Sequence, residues 1–208
     1  MRLRASSIAI ERGGRRLFAN LSFDVAAGQA LIVTGPNGSG KSSLLRAIAG
    51  LLPLAAGEIA LEGGAAEQSV GEQANYLGHL DALKGSLTAS ENLAFWASSL
   101  AGASHGALSV RGALERVGLA HVADLPVHAL SAGQKRRVAL ARHLAAARPL
   151  WLLDEPLSAL DAAAQARLGE IMREHLAGGG LIIAATHAPL GIDASLSFNL
   201  DAAALAPA

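Results

Sequence analysis

The amino-acid sequence predicts an α/β fold: a mostly parallel sheet joined to a small antiparallel β subdomain and an inserted helical subdomain. Short apolar runs recur along the chain, as expected for parallel strands that are covered on both faces. Near the N-terminus apolar and polar residues alternate, which is typical of an antiparallel pair with one buried face. Between residues 88 and 147 apolar residues recur three and four positions apart, which indicates amphipathic helices.

We expect one domain over residues 1–208, with the core and N-terminal β subdomain at about 1–87 and 148–200 and the helical subdomain at about 88–147. The odd-numbered residues from Leu17 to Val25 are apolar and predict a strand, with Leu3–Ile10 as its hairpin partner across Gly13-Gly14. The parallel sheet is predicted from apolar runs at Ala30–Thr34, Ala74–Gly78, Leu150–Glu155 and Leu181–Thr186. A short strand at Gly57–Leu61 and an edge strand at Ala194–Leu200 are also predicted, without assignment to a sheet. Helices are predicted at Ser43–Gly50, Ala89–Ala101, Leu108–Val117, Gln134–Ala147 and Ala162–Leu176, and Thr88 with Glu91 predicts a capping box at the second; Ala202–Ala208 is a tail without an assigned role.

Composition excludes several classes of protein. The formal net charge is zero, so no general attraction to nucleic acid or to an anionic membrane is expected. Cysteine is absent, which excludes disulfides and thiolate metal sites. The first seven residues lack the apolar centre of a signal peptide, and no apolar run has the length of a membrane span. Work at a membrane would therefore require docking to a partner.

A phosphate-binding loop is predicted between the strand at 30–34 and the helix that follows it. Its residues are Gly35, Pro36, Asn37, Gly38, Ser39, Gly40, Lys41, Ser42 and Ser43. Glycines let successive backbone N–H groups point at phosphate oxygens, and the helix N-terminus adds a positive dipole. Lys41 is expected at the β/γ-phosphates and the Ser42 hydroxyl at Mg²⁺, so the predicted ligands are ATP and Mg²⁺.

Two carboxylates follow the apolar run at 150–153. Ligands of open parallel sheets bind at the carboxyl ends of the strands, which places Asp154 near the expected Mg²⁺. Glu155 is then positioned to orient and deprotonate an attacking water, as a general base.

A third motif, Leu130-Ser131-Ala132-Gly133-Gln134, precedes a predicted helix. Ser131 and Gly133 lie where that helix begins, so its free N–H groups suit a γ-phosphate. With the two preceding motifs it resembles the Leu-Ser-Gly-Gly-Gln signature of ATP-binding-cassette (ABC) ATPase subunits, and the resemblance covers about Leu3 to Leu200. It implies the P-loop NTPase core of the ABC ATPase fold, and a homodimer in which Ser131, Ala132, Gly133 and Gln134 of one copy cover the ATP of the other.

The resemblance assigns further positions. Asp161 lies in the family's D-loop and is also a candidate helix N-cap. His187 matches the switch histidine that contacts the γ-phosphate, and His79 takes the place of the family's glutamine as a contact to metal or water. The family's adenine-stacking tyrosine is missing, which leaves Arg12, with Phe18 further along, as candidate base contacts.

Basic and histidine side chains outside these motifs are given structural interpretations. Lys135, Arg136, Arg137 and Arg142 are expected mostly on a solvated helix face, with no nucleic acid as partner. The remaining histidines are expected to be scattered surface or core residues without a haem site: His105, His121, His128, His143 and His175.

Within the family, the chain resembles the ATP-binding subunits of cytochrome c maturation haem exporters. The resemblance rests on Tyr76–His79, on Glu11–Gly14 without tyrosine, and on Leu87–Trp96. It implies a peripheral subunit on the cytoplasmic face of a bacterial inner membrane, bound to integral membrane subunits and, through them, to haem-handling partners. The alternatives are another ABC import or export motor for a lipid, ion or small molecule, a soluble ABC ATPase acting on DNA or the ribosome, and a small-molecule kinase, against which Leu130–Gln134 argues.

Overall fold

The computed structural model describes residues 1–100, 106–192 and 195–200. The predicted tail at Ala202–Ala208 and His105 therefore lie outside the described residues. Among the residues that are described, no helix is both long and apolar enough to cross a membrane.

The N-terminal sheet is antiparallel, as predicted for its first two strands, and the predicted strand at Gly57–Leu61 joins it as the third. Its strands are β1 (Arg2–Arg12), β2 (Arg15–Ala26) and β4 (Ala56–Glu62), in the order β2-β1-β4. The turn between β1 and β2 uses Gly13 and Gly14 at φ of 58° and 75°, a conformation that glycine adopts without a Cβ penalty.

The second sheet is parallel throughout its five strands, and the predicted α/β fold class is confirmed. Its order is β5-β6-β7-β3-β8, with β8 on one edge. The strands are β3 (Ala30–Thr34), β5 (Ala74–Leu77), β6 (Leu150–Asp154), β7 (Leu181–Ala185) and β8 (Ser195–Asn199). Every residue of β6 and β7 is buried, which explains their continuous apolar sequences.

The helices are α1 (Lys41–Ile48), α2 (Ala89–Ser99), α3 (Val110–Arg116), α4 (Ala132–Ala145) and α5 (Ala162–Ala177). The predicted capping box of Thr88 and Glu91 is present at the start of α2. Both α1 and α4 begin two residues earlier than predicted. In α4 the reason is a second capping box, because Ser131 and Gln134 satisfy each other's backbone N–H groups.

The core consists of two layers, one on each face of the parallel sheet. Trp151 and Leu153 of β6 face a cluster formed with α2–α5, whereas Leu150 and Leu152 face a cluster formed with α1 and the antiparallel sheet. The carboxyl ends of β3, β5 and β6 therefore open between the two layers, where the loops that follow them meet.

The expectation of a mostly solvated basic face on α4 is wrong for two of its four residues. Arg136 and Arg142 are only 2% and 4% exposed. Both lie three positions from buried Ala139, and so share its face of the helix. Arg142 donates to the Tyr76 carbonyl at 2.8 Å and lies 4.6 Å over the ring of Trp96; burial lowers its pKa to about 10, so it remains charged at neutral pH.

Two of the histidines expected to be scattered lie together. The ring of His175 stacks on Trp151 at 3.9 Å between centroids, and His143 meets the same indole edge-on at 5.1 Å. Burial lowers the pKa of His143, and lowers that of His175 to about 4. His143 is thus a buried residue and His175 a half-buried one, and both stay neutral at physiological pH.

Candidate functional site

The phosphate loop links β3 to α1 in a conformation that requires glycine. Gly35 has φ of 137° and Gly40 has φ of 103°, both outside the range that other residues readily adopt. A Cβ on Gly35 would lie 2.9 Å from the Ser39 hydroxyl oxygen, and one on Gly40 would lie 3.2 Å from the Phe18 ring. Glycine is therefore favoured at both positions by the backbone conformation and by the close approach of neighbouring side chains.

Lys41 is the first residue of α1 and its side chain turns back over the loop. Its Nζ donates to the carbonyl oxygens of Gly35 at 2.7 Å and Pro36 at 3.0 Å. Lys41 is 9% exposed, and these two hydrogen bonds hold its ammonium beside the loop and the N-terminus of α1. A positive charge and free helix N–H groups in one place favour a bound anion.

A cleft of about 310 Å³ opens beside the loop, and we call it the nucleotide cleft. It brings together segments that are far apart in the sequence. Its lining residues are Arg12, Leu17, Asn37, Gly38, Gly40, Lys41, Ser42, Ser43, His79, Asp154 and Glu155. The three candidate metal contacts, the candidate general base and most of the predicted phosphate loop thus line one space, whereas its described lining does not include Gly35, Pro36, Ser39 or His187. The candidate adenine contact Phe18 is also absent from it, because Phe18 is 2% exposed and packs against Gly40.

Asp154 and Glu155 stand where β6 ends. Asp154 is 5% exposed, and Glu155 has φ of 45°, an unusual conformation for a residue with a side chain. The Glu155 N–H donates to the Ala185 carbonyl of β7 at 2.8 Å. Its carboxylate Oε1 lies 4.0 Å from Nε2 of His187, so the candidate general base and the candidate switch histidine are neighbours.

Ser42 and Asp154 offer a hydroxyl and a carboxylate oxygen, which are the donors that Mg²⁺ prefers. His79 lines the same cleft. The described part of the chain contains no group of three or more His, Asp or Glu side chains arranged to hold a metal ion. The donor set fits an ion that also takes ligands from a phosphate and from water, as Mg²⁺ commonly does.

Residues Ser131–Gln134, the signature turn, lie on a different part of the surface. None of them belongs to the described lining of the nucleotide cleft. Ser131 and Ala132 are exposed, and the Gln134 side chain accepts from the Ser131 N–H at 2.8 Å. Gly133 packs so closely on the Ala159 carbonyl that an added Cβ would lie 2.7 Å from its oxygen.

Asp161 is the N-cap of α5, as predicted from its position. Its Oδ1 accepts from the Ala164 N–H at 2.8 Å. Ala159, two residues before it, has φ of 61° and contacts Gly133. The signature turn and the segment 158–161 therefore lie against each other, and neither is among the described residues that line the cleft.

Comparison with known proteins agrees with this arrangement. The family described as ABC transporter matches residues 18–158. The chain is 56% identical over 194 residues to the cytochrome c biogenesis ATP-binding export protein CcmA of Nitrobacter winogradskyi, covering 93% of this chain and 96% of that protein. It is 58% identical over 183 residues to the protein of that name in Rhodopseudomonas palustris, covering 88% and 90%.

Solved structures share the fold at lower identity. A putative ABC transporter ATP-binding protein from Pyrococcus furiosus superposes with a TM-score of 0.82 at 22% identity, covering 98% of this chain and all of the other. The ATP-binding cassette MJ0796, solved as a dimer in a post-hydrolysis state with ADP and Pi, has a TM-score of 0.76 at 23% identity, covering 89% and 88%.

Proposed function

The chain belongs to the ABC transporter family, and we propose that it is the ATP-hydrolysing subunit of a membrane transporter for haem export or release in c-type cytochrome biogenesis. The observation that carries the proposal is the nucleotide cleft, where Lys41, Asp154 and Glu155 meet. The cargo follows from relatives that are 52–58% identical over about nine-tenths of this chain and are named for export in cytochrome c biogenesis.

In the proposed reaction the loop amides and Lys41 bind the phosphates of ATP. Ser42 and Asp154 would hold Mg²⁺, which supplies charge stabilisation to the transferred phosphoryl group. Glu155 accepts a proton from the attacking water, and His187, whose Nε2 is 4.0 Å from Glu155, reaches the γ-phosphate from the same side. Since phosphoryl transfer needs positioning more than covalent chemistry, the convergence of these residues is the main contribution of the protein.

We propose that two copies of the chain close around two ATP molecules. The signature turn lies apart from the cleft of its own chain, and Ser131 and Ala132 are exposed, so the N–H groups at the start of α4 that the capping box does not use would meet a γ-phosphate held by a second copy. Gly133 and Asp161 join on one surface and would enter this interface together. ATP bridges the two copies, and hydrolysis removes the bridge.

We also propose that residues 88–147 form the unit that transmits this motion to integral membrane subunits, with the chain bound peripherally on the cytoplasmic face of the inner membrane. An apolar groove of about 590 Å³ lies next to the nucleotide cleft and includes Leu51, Leu80 and Trp96. Leu80 is 81% exposed and Leu51 57% exposed, which is typical of a surface covered by a partner.

The test is recovery of the tagged full-length chain from detergent-solubilised bacterial membranes, with haem spectroscopy and ATPase assay of the recovered complex. We expect membrane subunits, a haem absorption band, and hydrolysis that needs no acceptor other than water. Leu80→Asp should lose the membrane subunits, whereas Leu196→Asp, which changes an exposed leucine on edge strand β8, should keep them. Recovery of an intact complex that contains no haem, both without ATP and during ATP hydrolysis, would contradict the proposed cargo.

A further inference from the structure

The guanidinium of Arg136 lies where the segments that build the nucleotide cleft meet, although Arg136 is not among the described residues that line it. Its Nη1 donates to the Gly78 carbonyl at 2.9 Å and to Asp81 Oδ1 at 3.0 Å. Its Nη2 donates to the carbonyls of Asp154 at 2.7 Å and Glu155 at 2.8 Å. One side chain of α4 therefore holds the segment after β5 and the end of β6 in a fixed relation.

The contacts of Arg136 require arginine rather than any cation. The residue is 2% exposed, and its one carboxylate partner in the described structure is Asp81, whose side chain is 26% exposed. The other acceptors are backbone carbonyls on two different segments. A planar fork of N–H donors can reach all of them at once, whereas a lysine ammonium is a compact point charge on a flexible stem.

At the β6 end, Arg136 holds the backbone of the candidate general base. Glu155 has φ of 45°, and such strained residues persist only where the surroundings over-determine them. Its N–H is held by the Ala185 carbonyl and its own carbonyl by Arg136 Nη2. The peptide groups on both sides of Glu155 are therefore anchored, which directs its carboxylate towards the cleft and His187.

At the β5 end, Arg136 holds the residues on either side of His79. Gly78 and Asp81 accept its hydrogen bonds, and His79 between them lines the nucleotide cleft. Arg136 itself belongs to the helix that Ser131 begins. A displacement of the signature turn and α4 would thus also shift the backbone at Glu155 and beside His79, because the Arg136 guanidinium is hydrogen-bonded to both segments.

We propose that Arg136 is a positioning residue for ATP hydrolysis, which sets the backbone of Glu155 and the Gly78–Asp81 turn relative to each other without touching nucleotide. The inference rests on the proposed ATPase function. It predicts a specific kinetic effect: loss of Arg136 lowers turnover and leaves nucleotide binding almost unchanged, because the phosphate loop does not depend on these contacts.

The test compares Arg136→Lys with Arg148→Lys in the full-length chain. Arg148 is the control, since it too donates to backbone carbonyls, those of Gly71, Ala74 and Leu100, but it is half-buried where Arg136 is buried. For Arg136→Lys we expect kcat to fall about 100-fold with KM and the affinity for a fluorescent ATP analogue within about threefold of wild type. Arg148→Lys should keep both kinetic constants within about twofold.

Hydrogen exchange tests the positioning independently of turnover. In Arg136→Lys, peptides spanning residues 76–83 and 153–158 should exchange faster, while those of β1 and β2 keep the wild-type rate. Asp81→Asn leaves Arg136 in place and should show the same faster exchange at 76–83 with a smaller fall in kcat. This variant tests the proposal if Arg136→Lys fails to fold. Unchanged or uniformly faster exchange, or an unchanged kcat, would overturn the proposal. A wild-type chain that fails to hydrolyse ATP would count against the proposed function alone, since exchange would still decide the positioning.

Discussion

The nucleotide cleft and the signature turn carry the two halves of the proposed ATP site, and they are constructed differently. The cleft gathers Arg12, the phosphate loop, His79 and the Asp154–Glu155 pair from segments that are distant in the chain. The signature turn is local: one helix start, capped by Ser131 and Gln134 three residues apart. Its first two residues, Ser131 and Ala132, are exposed, whereas Lys41 and Asp154 of the cleft are 9% and 5% exposed.

This difference indicates which functions each region can perform alone. The cleft has cation, loop amides and carboxylates in one place, so a single chain should bind nucleotide. The signature turn offers N–H groups and a helix dipole without an enclosing wall, so it should contribute only when another surface brings a phosphate to it. Variants in the two regions should therefore separate binding, hydrolysis and dimerisation.

Glu155→Gln is expected to have the largest effect. Removing the general base should slow hydrolysis about 1,000-fold, while ATP binding remains and the ATP-bound dimer becomes stable because its bridge is no longer removed. Turnover and size-exclusion chromatography with ATP measure the two effects. Glu170→Gln, at an exposed position of α5, is the control; turnover of Glu155→Gln equal to it would exclude Glu155 as the base.

Lys41→Ala should weaken nucleotide binding about 10- to 100-fold, the range for a lost hydrogen bond to a charged group. The effect should appear in equilibrium titration with a fluorescent ATP analogue, before any dimer forms. The exposed Lys84→Ala is the control for loss of one positive charge. If both variants bound nucleotide with equal affinity, the placement of the phosphates at Lys41 would be wrong.

Gly133→Ala should act on the other region. Its Cβ would lie 2.7 Å from the Ala159 oxygen, so the signature turn and the segment 158–161 must move apart. We expect ATP-dependent dimerisation to weaken about tenfold, consistent with roughly 1–3 kcal/mol for overpacking, with nucleotide affinity of the single chain unchanged. In the control Gly85→Ala, the new Cβ would have ordinary contact, 3.7 Å from His128 Cβ. Reduced nucleotide affinity in Gly133→Ala would contradict the separation of the two regions.

The smallest expected effect is on the stability of the whole fold and lies in neither region. It shows above which pH the variants of the two regions should be compared. The pKa of His175 is lowered to about 4 by burial, so the unfolded chain binds more protons between pH 6.5 and 4. Stability is therefore complete above pH 6.5 and falls with pH, by about 1 kcal/mol at pH 5.5. His175→Phe, which can keep the stack on Trp151, should flatten this dependence in chemical denaturation. An equally steep loss in His175→Phe would assign it to other groups, of which the buried His143 is the first to examine.

Much of the fold was predictable because its signals are local. The apolar runs of β6 and β7, the alternation along β2 and the capping box at Thr88 each depend on residues close together in the sequence. The phosphate loop was predictable for the same reason, since its glycines and Lys41 act within one strand–turn–helix unit.

Side chains that act across the structure were harder to predict. A basic residue on a helix is usually solvated, and Arg136 lies among other basic residues in the sequence. The one local sign of its burial is its spacing of three positions from the buried Ala139. Likewise, the sequence made Phe18 a candidate contact to the adenine base, but Phe18 packs against Gly40 and does not line the cleft.

The sequence by itself thus determined the order of the elements, the parallel sheet and the identity of the phosphate loop, because backbone geometry, periodicity and capping are set by near neighbours. Only the tertiary structure decided which residues meet at the end of β6: that His187 lies beside Glu155, that Arg136 joins Gly78, Asp154 and Glu155, and that Gly133 rests on Ala159. These contacts depend on how segments far apart in the chain pack against each other, and a pattern of neighbouring residues does not specify that packing.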